Sequence, residues 1–248
     1  MTPKPITMVE IPPGSAVISD QRTGESWTVD VDGFLLASTP VTVGQYRSLA
    51  EATAAADAGQ VSEAVGTAEP ARQGSGADRA DTADSLPITE VSWLDAVAFC
   101  NRLSESEGRT PAYLVRDGDV RWIASSDGYR LPTEAEWVHA CRAGSSGPRY
   151  GDLDTIAWYR ANSRGSAQPV GGRAPNAWGL YDMLGNVFEW CWDLYDPAVY
   201  GTYRVLKGGG WADPPWSCRA GVRRRSMETF AIDDVGFRVA RSSAPRSS

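Results

Sequence analysis

From Gly144 onward, Gly, Pro, Asn and Trp punctuate the chain so densely that no helical or alternating apolar pattern persists. About a hundred residues of this kind are unusual in a globular protein, and something other than regular helix and sheet must hold them. Bound ions and buried aromatic anchors are the two physical candidates. The 10 Trp and 25 Gly in 248 residues point to an aromatic core wrapped by irregular backbone rather than to a helical bundle. Within this half, only 203–207 and 236–240 read as short strands.

The first half is more regular. β-Branched and aromatic residues between Gly, Pro and Asp predict strands over 8–17 and 26–36. Thr39-Pro40 opens a helix through Val43, Tyr46 and Leu49, expected to end in the alanines after Glu51. Residues 54–85 are Ala, Gly, Asp, Glu and Ser with almost no large apolar side chain, which predicts a mobile surface insertion within one domain spanning 1–248. Ser92-Trp93-Leu94-Asp95 and Thr133-Glu134-Ala135-Glu136 are capping boxes. They start helices that stop near Gly108 and Gly144, with a small hairpin over 112–115 and 120–124 between them.

Charge and ligand counts exclude several functions. A net charge of -7 argues against nucleic acid and anionic lipid as partners, because both attract a basic surface. The run from Arg219 to Arg225 carries four arginines, expected to pair internally with carboxylates such as Asp233 and Asp234. The N-terminus has no apolar signal core and no stretch is long enough to span a membrane, so the expected location is cytoplasmic. Cys100, Cys141, Cys191 and Cys218 are widely spaced and read as buried thiols. The single histidine, His139, rules out a multi-histidine iron or zinc site within one chain and reads as a mid-helix packing residue.

Several ordered strings resemble the formylglycine-generating-enzyme (sulfatase-modifying factor) family. They are Pro40-Val41-Thr42 with Gln45-Tyr46, Val91-Ser92-Trp93 with Asp95-Ala96, and the run from Tyr129 through Leu131-Pro132-Thr133 to Trp137. They continue with Pro169-Val170-Gly171, Pro175-Asn176 through Asp182, Gly185-Asn186-Val187-Phe188-Glu189-Trp190, Arg204 to Gly209, and Gly236-Phe237-Arg238. The resemblance covers nearly the whole chain outside the insertion. It implies an α+β, C-type-lectin-like fold with short twisted strands, few helices and long ordered loops.

The resemblance also implies one structural calcium, on Asp182, the carbonyls of Gly185 and Val187, and Glu189. The residue chemistry agrees, since calcium takes hard oxygen ligands and a glycine-containing loop turns carbonyls inward between two acids. The competing reading is a turn capped by Asp182, with Glu189 pairing an arginine. A second calcium, which would use Asn162, is not expected because no acid follows before Pro169.

Catalytic relatives oxidise a protein cysteine with copper held by two thiolates, a soft pair suited to Cu(I). Aligning Gly208-Gly209-Gly210-Trp211 on the family's glycine turn puts Asp213 at the first cysteine and Cys218 at the second. Gly210 stands where a serine is usual and Pro214 where a histidine is common, so copper is not the favoured cofactor. The histidine-dependent iron branch of the family is not matched either. The expected function is therefore a protein- or peptide-binding module displaying 211–235, as in the variable proteins of diversity-generating retroelements. Its contact residues would be Trp211, Asp213, Trp216, Arg219, Arg223, Arg225, Met227 and Phe230, types enriched at interaction hot spots. The alternatives are an Arg-aromatic core in this segment, and a metal-dependent oxidase acting through Cys218. The identity of the ligand and the oligomeric state are not legible here.

Overall fold

The computed structural model describes residues 4–61 and 82–243. The first expected strand divides into β1 (Met8–Ile11) and β2 (Gly14–Asp20), and the second into β3 (Glu25–Val31) and β4 (Phe34–Ala37). Pro12-Pro13 forces the first break, because proline cannot donate to a ladder. β2 and β3 form a hairpin, while β1 returns to β4 with Ile11 opposite Phe34.

Helix α1 (Val43–Val61) starts beyond Thr39-Pro40 and runs past the expected stop. Its start is a reciprocal cap: Thr42 Oγ1 accepts from the Gln45 N–H at 3.2 Å, and Gln45 Oε1 accepts from the Thr42 N–H at 3.0 Å. The alanines after Glu51 carry the helix on, since Ala has the highest helix propensity even without an apolar face to bury. The expected insertion thus begins as helix; its stretch 62–81 lies outside the described residues. At its far end Asp84 pairs with Lys4 at 2.8 Å and with Arg47, and the Leu86 carbonyl accepts from the Val43 N–H.

Both capping boxes form as read. They start α2 (Trp93–Ser106), and, after the hairpin of β5 (Tyr113–Arg116) with β6 (Asp119–Trp122) and the short β7 (Tyr129–Arg130), α3 (Glu134–Arg142). Then follow α4 (Leu153–Ile156), β8 (Phe188–Leu194), α5 (Pro197–Tyr200), β9 (Arg204–Lys207), β10 (Arg224–Ser226), β11 (Val235–Gly236) and β12 (Ala240–Ser242). The longest of these strands, β8, was hidden in the sequence. Its first four residues are all buried, so apolar side chains face both sides and no alternation marks it.

Two four-stranded sheets organise the chain, in orders β1-β4-β12-β7 and β10-β9-β8-β11. The C-terminal β12 inserts between β4 and β7, antiparallel to both, and so ties the two ends of the chain together. Trp93, Trp137 and Trp190 are fully buried, and each indole N–H finds an acceptor: the Cys191 carbonyl, Glu189 Oε2 and the Val91 carbonyl. These are the aromatic anchors that the composition called for.

The most connected of the anchors is ionic. Arg238, between β11 and β12, is wholly buried and donates to both oxygens of the equally buried Glu189 on β8, at 2.7 and 2.6 Å. Its remaining donors reach the carbonyls of Ala37 at the end of β4 and of Tyr181. One side chain therefore joins both sheets and the 181 loop. Removing either partner strands a charge in the core, whereas an apolar pair of similar volume need not. We expect Arg238→Met or Glu189→Leu alone to cost about 3–5 kcal/mol, and the double variant to recover much of that loss. Urea unfolding of the four proteins measures the cycle, and additive losses would contradict the coupling.

A second buried acid sets a pH dependence. Asp193 Oδ2 accepts from the Glu134 N–H at the start of α3, at 2.6 Å. Burial nevertheless pushes its carboxyl up to about 6, from an ordinary 3.8. The folded state thus holds this proton more firmly than the unfolded chain does. Its contribution is fullest below the ordinary carboxylate range and is lost as pH rises through about 6. Asp193→Asn should therefore melt higher than wild type above about pH 7 and lose that advantage near about pH 4. Melting curves at both pH values check the sign.

Candidate functional site

The end of β9 runs into Gly208 and Gly209, both with positive φ, 98° and 83°. This turn brings together the residues expected at the family's reactive positions. A Cβ on Gly209 would lie 3.0 Å from Cys218 Sγ, and one on Gly210 would lie 3.0 Å from Asp234 Oδ2. The Gly210 N–H donates to Asp213 Oδ2 at 2.9 Å. Cys218, Asp213 and Asp234 therefore all border one glycine turn, and the close approach explains why small residues stand there.

The thiol in this group is quiescent. Cys218 is completely buried, and burial, with Asp213 beside it, pushes its pKa up to about 12. A thiolate, the form that binds soft metals and attacks substrates, is suppressed at neutral pH. Cys191 offers no second thiolate: Asp193, Glu134, Lys207 and Glu189 are its charged neighbours, whereas those of Cys218 are Asp213 and Arg149. Among the described residues no group of three or more His, Cys, Asp or Glu side chains is placed to hold a metal ion. The donors at this turn, one protonated thiol with the Asp213 carboxylate beside it, do not fit the two-thiolate copper centre that the family resemblance implies.

Asp234 was read only as a partner for arginine. It instead sits half-buried with Oδ1 unpartnered, and burial, with Asp213 and Asp233 nearby, pushes its carboxyl up to about 6. It forms part of a depression of about 410 Å³ with Phe188, Leu206, Asp213, Arg225, Phe230 and Ile232 among its walls.

The arginine run does not pair with Asp233 and Asp234. Arg223 turns inward, with only 5% of its side chain exposed; it bonds Glu134 at 2.8 and 3.0 Å and lies 3.8 Å from Asp20. Its guanidinium stacks on Tyr195 at 4.4 Å. Arg223 is thus a structural residue rather than part of a contact surface, because the buried Glu134 needs its charge. Arg219, Arg224 and Arg225 stay exposed, with Arg224 over Trp216 and Arg225 over Tyr200. Trp216, Met227 and Ile232 are 51%, 49% and 38% exposed. Trp211 and Phe230 are half-buried, the Trp211 indole N–H donating to the Asp233 carbonyl.

The four positions expected to hold calcium lie close in the chain, and one of the two acids is already engaged. Glu189 spends both oxygens on Arg238 and also accepts from Trp137. Asp182 accepts from the Gly171 N–H at 2.7 Å, leaving Oδ1 as the one acid oxygen of the set without a partner. Gly185, at φ 75°, packs so tightly that a Cβ would meet the Trp158 carbonyl oxygen at 2.2 Å. A calcium ion needs six or more oxygens, and Arg238 already supplies the positive charge that the ion would otherwise bring to Glu189. The arrangement corresponds to the arginine-paired reading of Glu189. His139 packs as expected, edge-on to Trp178 and bonded through Nε2 to the Pro12 carbonyl.

Residues 2–243 match the sulfatase-modifying factor enzyme 1-like domain. Formylglycine-generating enzyme of Streptomyces coelicolor is 30% identical over 187 residues, covering 62% of this chain and 52% of that protein. Inactive C-alpha-formylglycine-generating enzyme 2 of Mus musculus is 34% identical over 177 residues, covering 63% of this chain and 49% of that protein. The chain thus spans about half the length of these two relatives. In structure it resembles Treponema denticola variable protein 1, with TM-score 0.78, 27% identity, and coverage of 96% of this chain and 95% of that one. The fold is accordingly α+β and C-type-lectin-like. The chain belongs to the sulfatase-modifying factor enzyme 1-like family.

Proposed function

We propose that this protein is a ligand-binding module that presents the 211–235 segment to a protein or peptide, and that it does not carry the family's oxidase chemistry. The observation that carries the reading is the state of Cys218: a lone, fully buried thiol with its pKa raised to about 12, beside Asp213 in place of a partner cysteine. Over the same turn the exposed groups are Trp216, Met227 and Ile232 with Arg219, Arg224 and Arg225. An exposed indole and thioether flanked by guanidinia is the composition of an interaction hot spot. The likeness to a variable protein and to an inactive family member supports a scaffold whose segment binds rather than reacts.

Peptides selected from a displayed library against the wild-type protein test this reading. Binding should weaken by about tenfold or more in Trp216→Ala combined with Met227→Ala. Selected peptides that bind both proteins equally would place the binding surface elsewhere. In parallel, a Cys-X-Pro-X-Arg peptide incubated aerobically with copper-loaded protein and a thiol reductant should show no aldehyde by mass spectrometry. Conversion by wild type and not by Cys218→Ala would establish the oxidase alternative.

Calcium gives a third test. Arg238 serves as the internal cation at Glu189, so the melting temperature should be the same in millimolar calcium and in excess chelator. A calcium-dependent rise that Asp182→Ala abolishes would instead establish the calcium site that the family resemblance implies.

A further inference from the structure

We propose that a pocket between the end of β2, the end of α3 and the 219–222 turn binds a phosphate monoester. The pocket shares Arg219 with the 211–235 segment but does not depend on the function proposed above. It is a depression of about 320 Å³ whose walls include Arg142, Arg219, Ser19, Gln21, Ser146 and Gly221. No Asp or Glu lines it, on a chain whose net charge is -7. Neither arginine makes an ion pair among the described residues. The nearest acid in sequence, Asp20, pairs with Arg22 and Arg223 instead.

Two observations show donors left waiting. Arg142 Nε is buried with no hydrogen-bond partner, and so is Ser145 Oγ beside the pocket's Ser146. Leaving these atoms unpaired is costly, and an anion on the guanidinium of Arg142 that lines the pocket would offset that cost. Two guanidinia in one depression also repel each other, and an anion between them reverses that term. A carboxylate, with two oxygens and one charge, satisfies a single guanidinium fork. A phosphate monoester brings three oxygens and nearly two charges, enough for both forks and for the serine hydroxyls in the pocket wall. At Gly221 nothing lies within 4 Å of where a side chain would start, so the main chain there is open to a ligand.

Titration calorimetry with inorganic phosphate, glycerol phosphate, and a phosphoserine peptide beside its unphosphorylated form tests the site. We expect the phosphate-bearing probes to bind, the unphosphorylated peptide not to bind, and Arg142→Gln with Arg219→Gln to weaken binding by about tenfold or more. A phosphopeptide that binds more than about tenfold tighter than glycerol phosphate identifies a phosphorylated protein as the source, and equal affinities identify a small phosphate ester. Arg219 is exposed, so Arg219→Gln alone supplies the comparison should the double variant melt below the assay temperature. Absence of phosphate binding to wild type, or binding unchanged in folded Arg219→Gln and double-variant proteins, overturns the proposal.

Discussion

The structure depends on one buried ion pair. Arg238 and Glu189 are both fully excluded from solvent, and every nitrogen of the guanidinium reaches an oxygen: two bonds go to Glu189, one to Ala37 and one to Tyr181. Trp137 closes the same carboxylate from α3. A pair of this kind adds little net stability over an apolar core, because desolvating two charges offsets much of their attraction. What it contributes is specificity: any arrangement that fails to bring β4, β8 and the segment between β11 and β12 together leaves a charge buried alone. For a chain with so much irregular backbone, that penalty on wrong arrangements matters more than the strength of the right one.

The same logic separates scaffold from surface in the second half. Within the arginine run, Arg223 turns inward to neutralise Glu134, which also lies 3.4 Å from Lys207. Its neighbours Arg224 and Arg225 face out and rest on Trp216 and Tyr200. The inward group holds the segment to the core, and the outward groups stay exposed to solvent. A fold fixed by internal ion pairs and capped helices can in this way lose a reactive thiol pair without losing its shape, and fold and chemistry part company.

How far the sequence could be read follows from the range of the interactions involved. The capping boxes at Ser92 and Thr133 are local, decided by residues three apart, and both form as read. The short strand at β9 was marked by the turn residues around it. β8 escaped because burial on both faces erases the alternation that marks a strand, and the sequence left open which arginine its Glu189 pairs, which the fold supplies as Arg238. α1 ran on because alanine propensity is local while the expected stop was argued from a missing apolar face. The Gly236-Phe237-Arg238 motif was visible, but nothing local says that its arginine reaches a residue 49 positions earlier.

By itself the sequence determined the family, the α+β class, the lone cysteine at the reactive turn and the lack of a multi-histidine site, all of which depend on residue identity and order. Only the tertiary structure decided which charges are spent inside. It paired Arg223 with Glu134 and Glu189 with Arg238, left Asp234 and Arg142 with unpartnered atoms, and gathered Arg142 and Arg219 from distant segments around one acid-free pocket. The physical reason is that capping and propensity act over a few residues, whereas ion pairing and desolvation depend on neighbours that only the folded chain supplies.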